Sequence, residues 1–165
     1  MKVNLKEEDL LSTQLSWLCV KPMLLAVRGK DLQTKLEMYQ QLNEGQKGIY
    51  LFYSFHNHVN SIEEFYWFSG YYIIEIQSWH GIKSGVQYFK DIEMVELLDQ
   101  IEGLIEKCKK EDGVWQASPS DLERDTDLLQ EVKELYEKYK RISGNTISQM
   151  NTYIVHNKEE FIEEE

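Results

Sequence analysis

Aromatic residues are concentrated in the middle of the chain, and this feature constrains the fold more than any other. Residues 47–90 hold 13 of the 20 aromatic residues. Each ring can bury about 150–250 Å² of surface, so this segment is expected at the centre of a hydrophobic core. A chain of 165 residues is long enough for one domain that buries about 70% of its unfolded surface. We therefore expect a single domain over residues 1–165.

Apolar side chains recur at intervals of three and four in the first part of the chain, which predicts α-helices. Pro22 is expected to break or restart the first helix, and Gly29 is expected to end a short apolar turn. Asp31 and Ser61 are expected to cap helices, and Gly70 is expected to allow the close approach of a neighbouring segment. The predicted helices cover residues 5–20, a segment from Asp31 that carries Leu32, Leu36, Tyr39 and Leu42, residues 43–59, residues 62–77 and a segment through Phe89.

Two apolar seams of period 3.5 follow, and they predict an antiparallel helical pair. The seams are Met94, Leu98, Ile101, Ile105 and Cys108, and then Leu128, Val132, Leu135, Tyr139 and Ile142. A linker over residues 111–121 is expected to join them, and Gly144 is expected to end the second helix. The predicted fold class is therefore all-α, a compact single-domain multi-helix bundle with this pair in its C-terminal half.

The last part of the chain is expected to contain one more helix and a short tail. The helix is predicted over residues 145–156. Residues 157–165 are predicted to form an acidic, partly disordered tail that Phe161 and Ile162 anchor to the body of the protein.

The negative charge of the chain is unevenly distributed. The formal net charge is −11, yet residues 1–90 carry nine acidic and nine basic side chains. Residues 91–165 carry 20 acidic against nine basic side chains, so the whole imbalance lies there. Such a surface repels nucleic acid and anionic membranes and attracts basic partners. We expect no direct binding to nucleic acid or membrane.

A row of carboxylates on the first seam helix is the strongest candidate for a binding surface. Its members have no basic residue within one turn of their own helix, and neighbours on a helix stand about 5–6 Å apart. That spacing is comparable to the spacing of charges along a nucleic-acid strand, which carries one phosphate per about 3.4 Å of helix axis. A basic protein partner, including a DNA-binding protein, is therefore predicted to bind Glu93, Glu96, Asp99, Glu102, Asp125 and Asp127. The alternative left open is that the acidity serves only solubility.

A second hypothesis places a small-molecule or metal pocket in the aromatic cluster, with His56, His58 and His80 as its polar groups. Against a metal, His56 and His58 are two residues apart and would point about 200° away from each other on a helix. Glu75 is the one acid with apolar neighbours on both sides in sequence. No nucleophile or phosphate-binding motif is present, so the sequence predicts a non-enzymatic protein with no catalytic residue, no metal and no cofactor.

The two cysteines, Cys19 and Cys108, lie in apolar helical patterns and are expected to be free thiols. The N-terminal residues contain no apolar segment of the kind that directs export. Both features predict a cytoplasmic protein. The oligomeric state stays open, with a homodimer through Trp17, Trp115 or a remaining apolar helix face as one alternative.

Three short motifs carry a family likeness: Leu42-Asn43-Glu44-Gly45-Gln46, the segment Val59 to Phe65, and the segment Tyr153 to Phe161. They resemble motifs of a bacterial all-helical family of unknown function that includes a DNA-mimic protein. The resemblance covers residues 40–162. It implies an all-α, non-catalytic acidic protein, and one type of member occupies the surfaces of transcription regulators in place of DNA. It implies no catalytic residues.

Overall fold

The computed structural model describes residues 1–109 and 115–163, and this part of the chain is all-α, as predicted. A 3₁₀ turn at Glu7–Leu11 precedes the first helix, a π-helical turn at Tyr71–Glu75 follows the fourth, and a 3₁₀ turn at Lys158–Glu160 follows the last. The eight α-helices of the described residues are α1 Leu15–Ala26, α2 Leu32–Gln40, α3 Glu44–His56, α4 Ile62–Gly70, α5 Trp79–Tyr88, α6 Ile92–Cys108, α7 Pro119–Arg124 and α8 Thr126–His156.

Helix α3 lies at the centre of the fold and packs against α1 and α5. Eight of its 13 residues are buried. The α3 and α5 backbones touch at two glycines, because a Cβ atom on Gly85 would lie 2.6 Å from the Cα of Gly48. Phe52, Phe55 and Trp79 are each no more than 2% exposed. The aromatic segment therefore forms the core, as the sequence predicts.

Helices α6 and α8 form the predicted antiparallel pair. The Thr146 hydroxyl donates to the Asp91 carboxylate at the start of α6 over 2.6 Å. Further along, Lys138 Nζ donates to Gln100 Oε1 over 3.3 Å, so the two helices run in opposite directions. The buried seam residues are Met94, Leu98, Ile101, Ile105, Val132, Tyr139 and Ile142.

The predicted helix over residues 5–20 is wrong at both ends. The helix begins at Leu15 and continues through Pro22 to Ala26. A proline inside a helix costs about 3 kcal/mol. Here Cys19, Val20 and Met23 are buried on either side of Pro22, and this burial outweighs the lost hydrogen bond. Packing, rather than the local proline signal, decides where α1 ends.

Two further helix ends differ from the prediction. Gly144 does not end the second seam helix, because the 31-residue helix α8 continues past it to His156, and Thr146, Met150 and Ile154 are buried beyond it. The predicted helix over residues 62–77 instead ends at Gly70 and is followed by the π-helical turn. The start of that helix is as predicted, since the Ser61 side chain accepts a hydrogen bond from the Glu64 amide.

Gly70 and the segment before α7 lie in direct contact. A Cβ atom on Gly70 would overlap the side chain of Ala117, which confirms the predicted close approach. The predicted linker over residues 111–121 contains the first turn of α7, capped by Ser118. Its residues 111–114 lie outside the described residues.

The C-terminal residues are attached to the body of the protein. Phe161 is fully buried and Ile162 is 8% exposed, so both predicted anchors are in the core. Val3 and Ile162 form a parallel bridge, and the buried Gln46 donates to the Glu160 carbonyl over 3.0 Å. Residues 164–165, the end of the predicted acidic tail, lie outside the described residues. Within the described ranges, no helix has the length and apolarity needed to cross a bilayer.

Candidate partner-binding surface

The predicted carboxylates lie at two ends of the α6–α8 pair rather than in one cluster. Glu93 and Glu96 are exposed in the first turns of α6, and Asp127 is exposed in the first turn of α8. Because the helices are antiparallel, the start of α8 lies beside the end of α6. Helix α6 has 17 residues, which is about 25 Å of axis at 1.5 Å per residue.

The row on α6 also turns around the helix. Each step of three residues rotates a side chain by about 60° short of a full turn. Glu93 and Glu96 therefore face similar directions, whereas Glu102 lies about half a turn away from Glu93. A row that looks continuous in sequence divides into two sides on the helix.

Lys83 of α5 neutralises the side of α6 that carries Asp99 and Glu102. Its Nζ atom lies 2.9 Å from the Asp99 carboxylate and also contacts the carboxylate of Glu102. Partial burial lowers the pKa of Lys83, but the hydrogen bonds to Glu102 and Asp99 outweigh this effect, and its pKa is raised overall. Sequence reasoning considered only cations on the same helix, and so it missed a lysine that the fold supplies.

Asp125 has a structural role at the start of α8. Its carboxylate accepts hydrogen bonds from the amides of Asp127 and Leu128, at 3.1 and 2.9 Å. Asp127 is exposed, and its side chain forms no comparable hydrogen bond with any of the described residues. Of these two predicted residues, Asp127 is the one that remains available to a partner.

Other carboxylates gather near the same end of the pair. The pKa of Cys108 is raised, first by burial and then by the charges of Asp121, Glu131 and Asp125. These residues come from α7, α8 and the junction between them. The sequence showed each of them as a separate acid, and only the fold brings them near one thiol.

The outer face of α8 carries acidic side chains that contact neighbours on the same helix. Glu137 pairs with Lys140 at 2.8 Å. Glu134 accepts a hydrogen bond from Gln130 at 2.8 Å. Both signs of charge are thus interspersed along this face.

The three histidines of the pocket hypothesis make separate contacts. The half-buried His56 stacks on Phe52 at 5.2 Å, and its Nδ1 atom lies 2.9 Å from the Tyr139 hydroxyl. Burial lowers the pKa of His56. His58 stacks on Phe68 at 4.6 Å, and the exposed His80 lies 3.3 Å from the Ser84 hydroxyl. Among the described residues, no group of three or more His, Cys, Asp or Glu is placed to hold a metal.

Aromatic rings fill the space that a pocket would need. Phe55 meets Trp79, Tyr72 and Tyr139 edge-on, with ring centres 5.1, 5.7 and 5.8 Å apart. Shallow depressions in the described structure lie instead on α8 and between α6 and α8, lined by polar and aliphatic side chains. Glu75, predicted between apolar neighbours, is exposed. The geometry thus favours a solid core.

Helix α2 exposes part of the apolar pattern from which it was predicted. Leu32 is 66% exposed and Leu36 is 45% exposed, although both belong to the apolar pattern from which the helix was predicted. Met38 is the buried residue of α2. Trp17 and Trp115, the tryptophans considered for a dimer contact, are partly buried and pack against the core. The exposed apolar side chains of α2 were not recognised from the sequence.

In comparisons with known proteins, the chain matches no family model, no curated protein and no solved structure.

Proposed function

We propose that this protein is a non-enzymatic interaction protein whose α6–α8 side binds a basic surface on a partner, such as that of a DNA-binding protein. The observation that carries the proposal is the exposure of Glu93, Glu96 and Asp127. Among the described residues, no lysine, arginine or histidine nitrogen lies within 4.0 Å of these carboxylates. Their charges are therefore available to an approaching cation.

Electrostatic attraction would guide this association. All of the excess negative charge belongs to residues 91–165, and a surface of one sign steers oppositely charged partners and raises association rates. Asp99 and Glu102 share Lys83 and would contribute less. We assign the main role to Glu93, Glu96 and Asp127.

The separation of the two acidic ends favours an extended partner surface. About 25 Å of helix axis lies between them, the length of about seven base pairs at 3.4 Å each. A protein surface that binds duplex DNA presents basic side chains over such a length. This correspondence supports a DNA-like binding mode. A cytoplasmic location is part of the proposal, and the free state of Cys19 and Cys108 supports it.

Affinity capture can test the proposal. The protein would be immobilised and exposed to a bacterial lysate at low salt, and captured proteins would be eluted with duplex DNA. We expect DNA-binding proteins to be retained at low salt, to be released by DNA, and to be lost at about 1 M salt, where screening acts within about 3 Å.

A charge-matched pair of variants makes the test specific. The variant Glu93→Gln, Glu96→Gln, Asp127→Asn removes three charges from the proposed surface. The control Glu7→Gln, Glu37→Gln, Glu75→Gln removes three charges from exposed positions elsewhere. Capture should fall in the first variant and persist in the control. Equal capture by both variants would show that net charge alone, and not this surface, is responsible.

A further inference from the structure

Helix α2 carries apolar side chains on its outer side. Leu32 and Leu36 are one turn apart and lie on the same face of the helix, and they are 66% and 45% exposed. Contiguous exposed apolar side chains on an otherwise polar surface mark sites of contact with another molecule.

Basic residues outnumber acidic residues in the segment that includes α2. Between residues 21 and 40 the chain has four basic side chains and two acidic ones, Asp31 and Glu37. Arg28, Lys30 and Lys35 are exposed. The Asp31 carboxylate caps α2 by accepting a hydrogen bond from the Thr34 amide over 2.8 Å, and the Glu37 carboxylate accepts one from the Gln33 side chain over 2.8 Å. The surface around α2 is therefore apolar at its centre and carries an excess of positive charge.

The first two turns of α6 have the complementary character. Ile92 is 58% exposed, and Glu96 lies one turn further along on the same face. Val95, about 60° from Ile92 around the helix, is partly buried, and the exposed Glu93 lies about 60° from Glu96. This surface is apolar at its centre and negative at its edge.

We propose that α2 of one copy of the chain docks against the first two turns of α6 of a second copy. Leu32 and Leu36 would cover Ile92, and Lys30 and Lys35 would pair with Glu93 and Glu96. The inference rests on the proposed function in one respect, since Glu93 and Glu96 again bind a basic surface. The basic surface here belongs to the protein itself.

The geometry of the contact determines the assembly. Each copy carries both surfaces. Two copies form a closed dimer if two such contacts are related by a two-fold axis, and an open chain of copies forms if they are not. The surface around one short helix is small, and interfaces below about 1,200 Å² are typical of weak, transient association. The contact is therefore weak and reversible.

Sedimentation of the purified protein at about 3 to 300 µM would detect a self-association with a dissociation constant between these concentrations. We expect the wild-type protein to associate as its concentration rises, and less so at about 500 mM than at about 50 mM salt. The variant Leu32→Gln, Leu36→Gln should remain monomeric, while the control Leu11→Gln, Val155→Gln, which also replaces two exposed apolar residues, should associate as the wild type does. A wild-type protein that stays monomeric at every concentration would overturn the proposal.

A charge exchange identifies the two contacting surfaces. Lys30→Glu with Lys35→Glu, and separately Glu93→Lys with Glu96→Lys, should each raise the dissociation constant by roughly tenfold or more through like-charge repulsion. The chain that combines all four changes should recover association, because each acidic α2 then meets a basic α6. Failure to recover association, with circular dichroism showing a folded protein, would overturn the pairing of these two helices.

The Leu32 and Leu36 variant distinguishes self-association from binding of a basic partner, and vesicle binding distinguishes a second copy from a membrane surface. Leu32→Gln, Leu36→Gln leaves Glu93 and Glu96 intact, so lysate capture should persist in it while self-association is lost. If the wild-type protein captures DNA-binding proteins but does not self-associate, only the proposed contact with a second copy is overturned. Binding of a monomeric wild-type protein to vesicles of equal parts phosphatidylcholine and phosphatidylglycerol would instead assign α2 to a membrane surface.

Discussion

Gly48 of α3 and Gly85 of α5 touch through their backbones at the centre of the fold. A Cβ atom on Gly85 would lie 2.6 Å from the Cα of Gly48, closer than real Cβ contacts. Because main-chain atoms meet there, no side chain can rotate away to make room. The two helices can lie this close only while both positions are glycine.

Gly85→Ala is therefore expected to destabilise the protein. Alanine favours a helix over glycine by about 1 kcal/mol, but overpacking of a buried contact costs about 1–3 kcal/mol or more. Because the clash is with main-chain atoms, we take overpacking at the upper end of this range, about 2–3 kcal/mol. We then expect a net loss of about 1–2 kcal/mol in the free energy of unfolding, measured with urea. Unchanged or increased stability would show that α3 and α5 are less closely packed.

Gly144→Ala is the matched substitution, and it is expected to stabilise the protein rather than destabilise it. Gly144 lies within α8, and a Cβ atom there would have no neighbour within 4 Å. The helix preference of alanine should then act alone and raise the free energy of unfolding by about 0.5–1 kcal/mol. A loss of stability in the same urea titration would indicate that α8 is interrupted at Gly144, as the sequence alone predicts.

Asp91 joins the start of α6 to α8 and is 2% exposed. Its carboxylate accepts from the Met94 amide over 3.1 Å and from the Thr146 hydroxyl over 2.6 Å. Asp91→Ala removes both acceptors and should cost about 2–4 kcal/mol of stability. Asp91→Asn keeps an acceptor for the helix cap and should cost less. Equal losses in the two variants would argue that the charge, rather than the cap, stabilises this site.

His56 should make stability depend on pH. Burial lowers its pKa below the usual histidine value of about 6.5, so the unfolded chain binds a proton at a pH where folded His56 does not. Its contribution is fully present above about pH 6.5 and is lost as pH falls through the lowered pKa, with a slope of at most about 1.4 kcal/mol per pH unit. Urea titrations between about pH 5.5 and pH 7.5, an interval of about one unit either side of 6.5, should show this slope.

Two variants test whether His56 causes this pH dependence of stability. His56→Gln should flatten it, while His80→Gln, a change at an exposed histidine, should keep it because His56 is still present. A slope that is the same in all three proteins would place its origin in other groups.

Lys83→Gln tests the role of the Lys83 cluster in partner binding. The change frees the carboxylates of Asp99 and Glu102, and an ion pair of this exposure contributes about 0–1 kcal/mol to stability. We expect little change in unfolding but tighter capture of basic proteins, with a steeper dependence on salt. Unaltered capture would confine the binding surface to carboxylates that Lys83 does not reach.

The sequence by itself determined the features that depend on neighbours along the chain. Asp31 and Ser61 cap the helices that they were predicted to cap, because a cap bonds to an amide three residues away. The seams on α6 and α8 likewise follow from the spacing of apolar residues within one helix. The concentration of rings in residues 47–90 was enough to locate the core, since burial of that much apolar surface favours the centre.

Only the tertiary structure decided the features that depend on contacts between distant segments. Pro22 and Gly144 lie inside helices because buried residues on both sides hold the helix together. Lys83 neutralises Asp99 and Glu102 across a helix contact, and Leu32 and Leu36 are exposed because no other segment covers them among the described residues. Local spacing shows which side of a helix is apolar or acidic, whereas the arrangement of the other helices determines what that side meets.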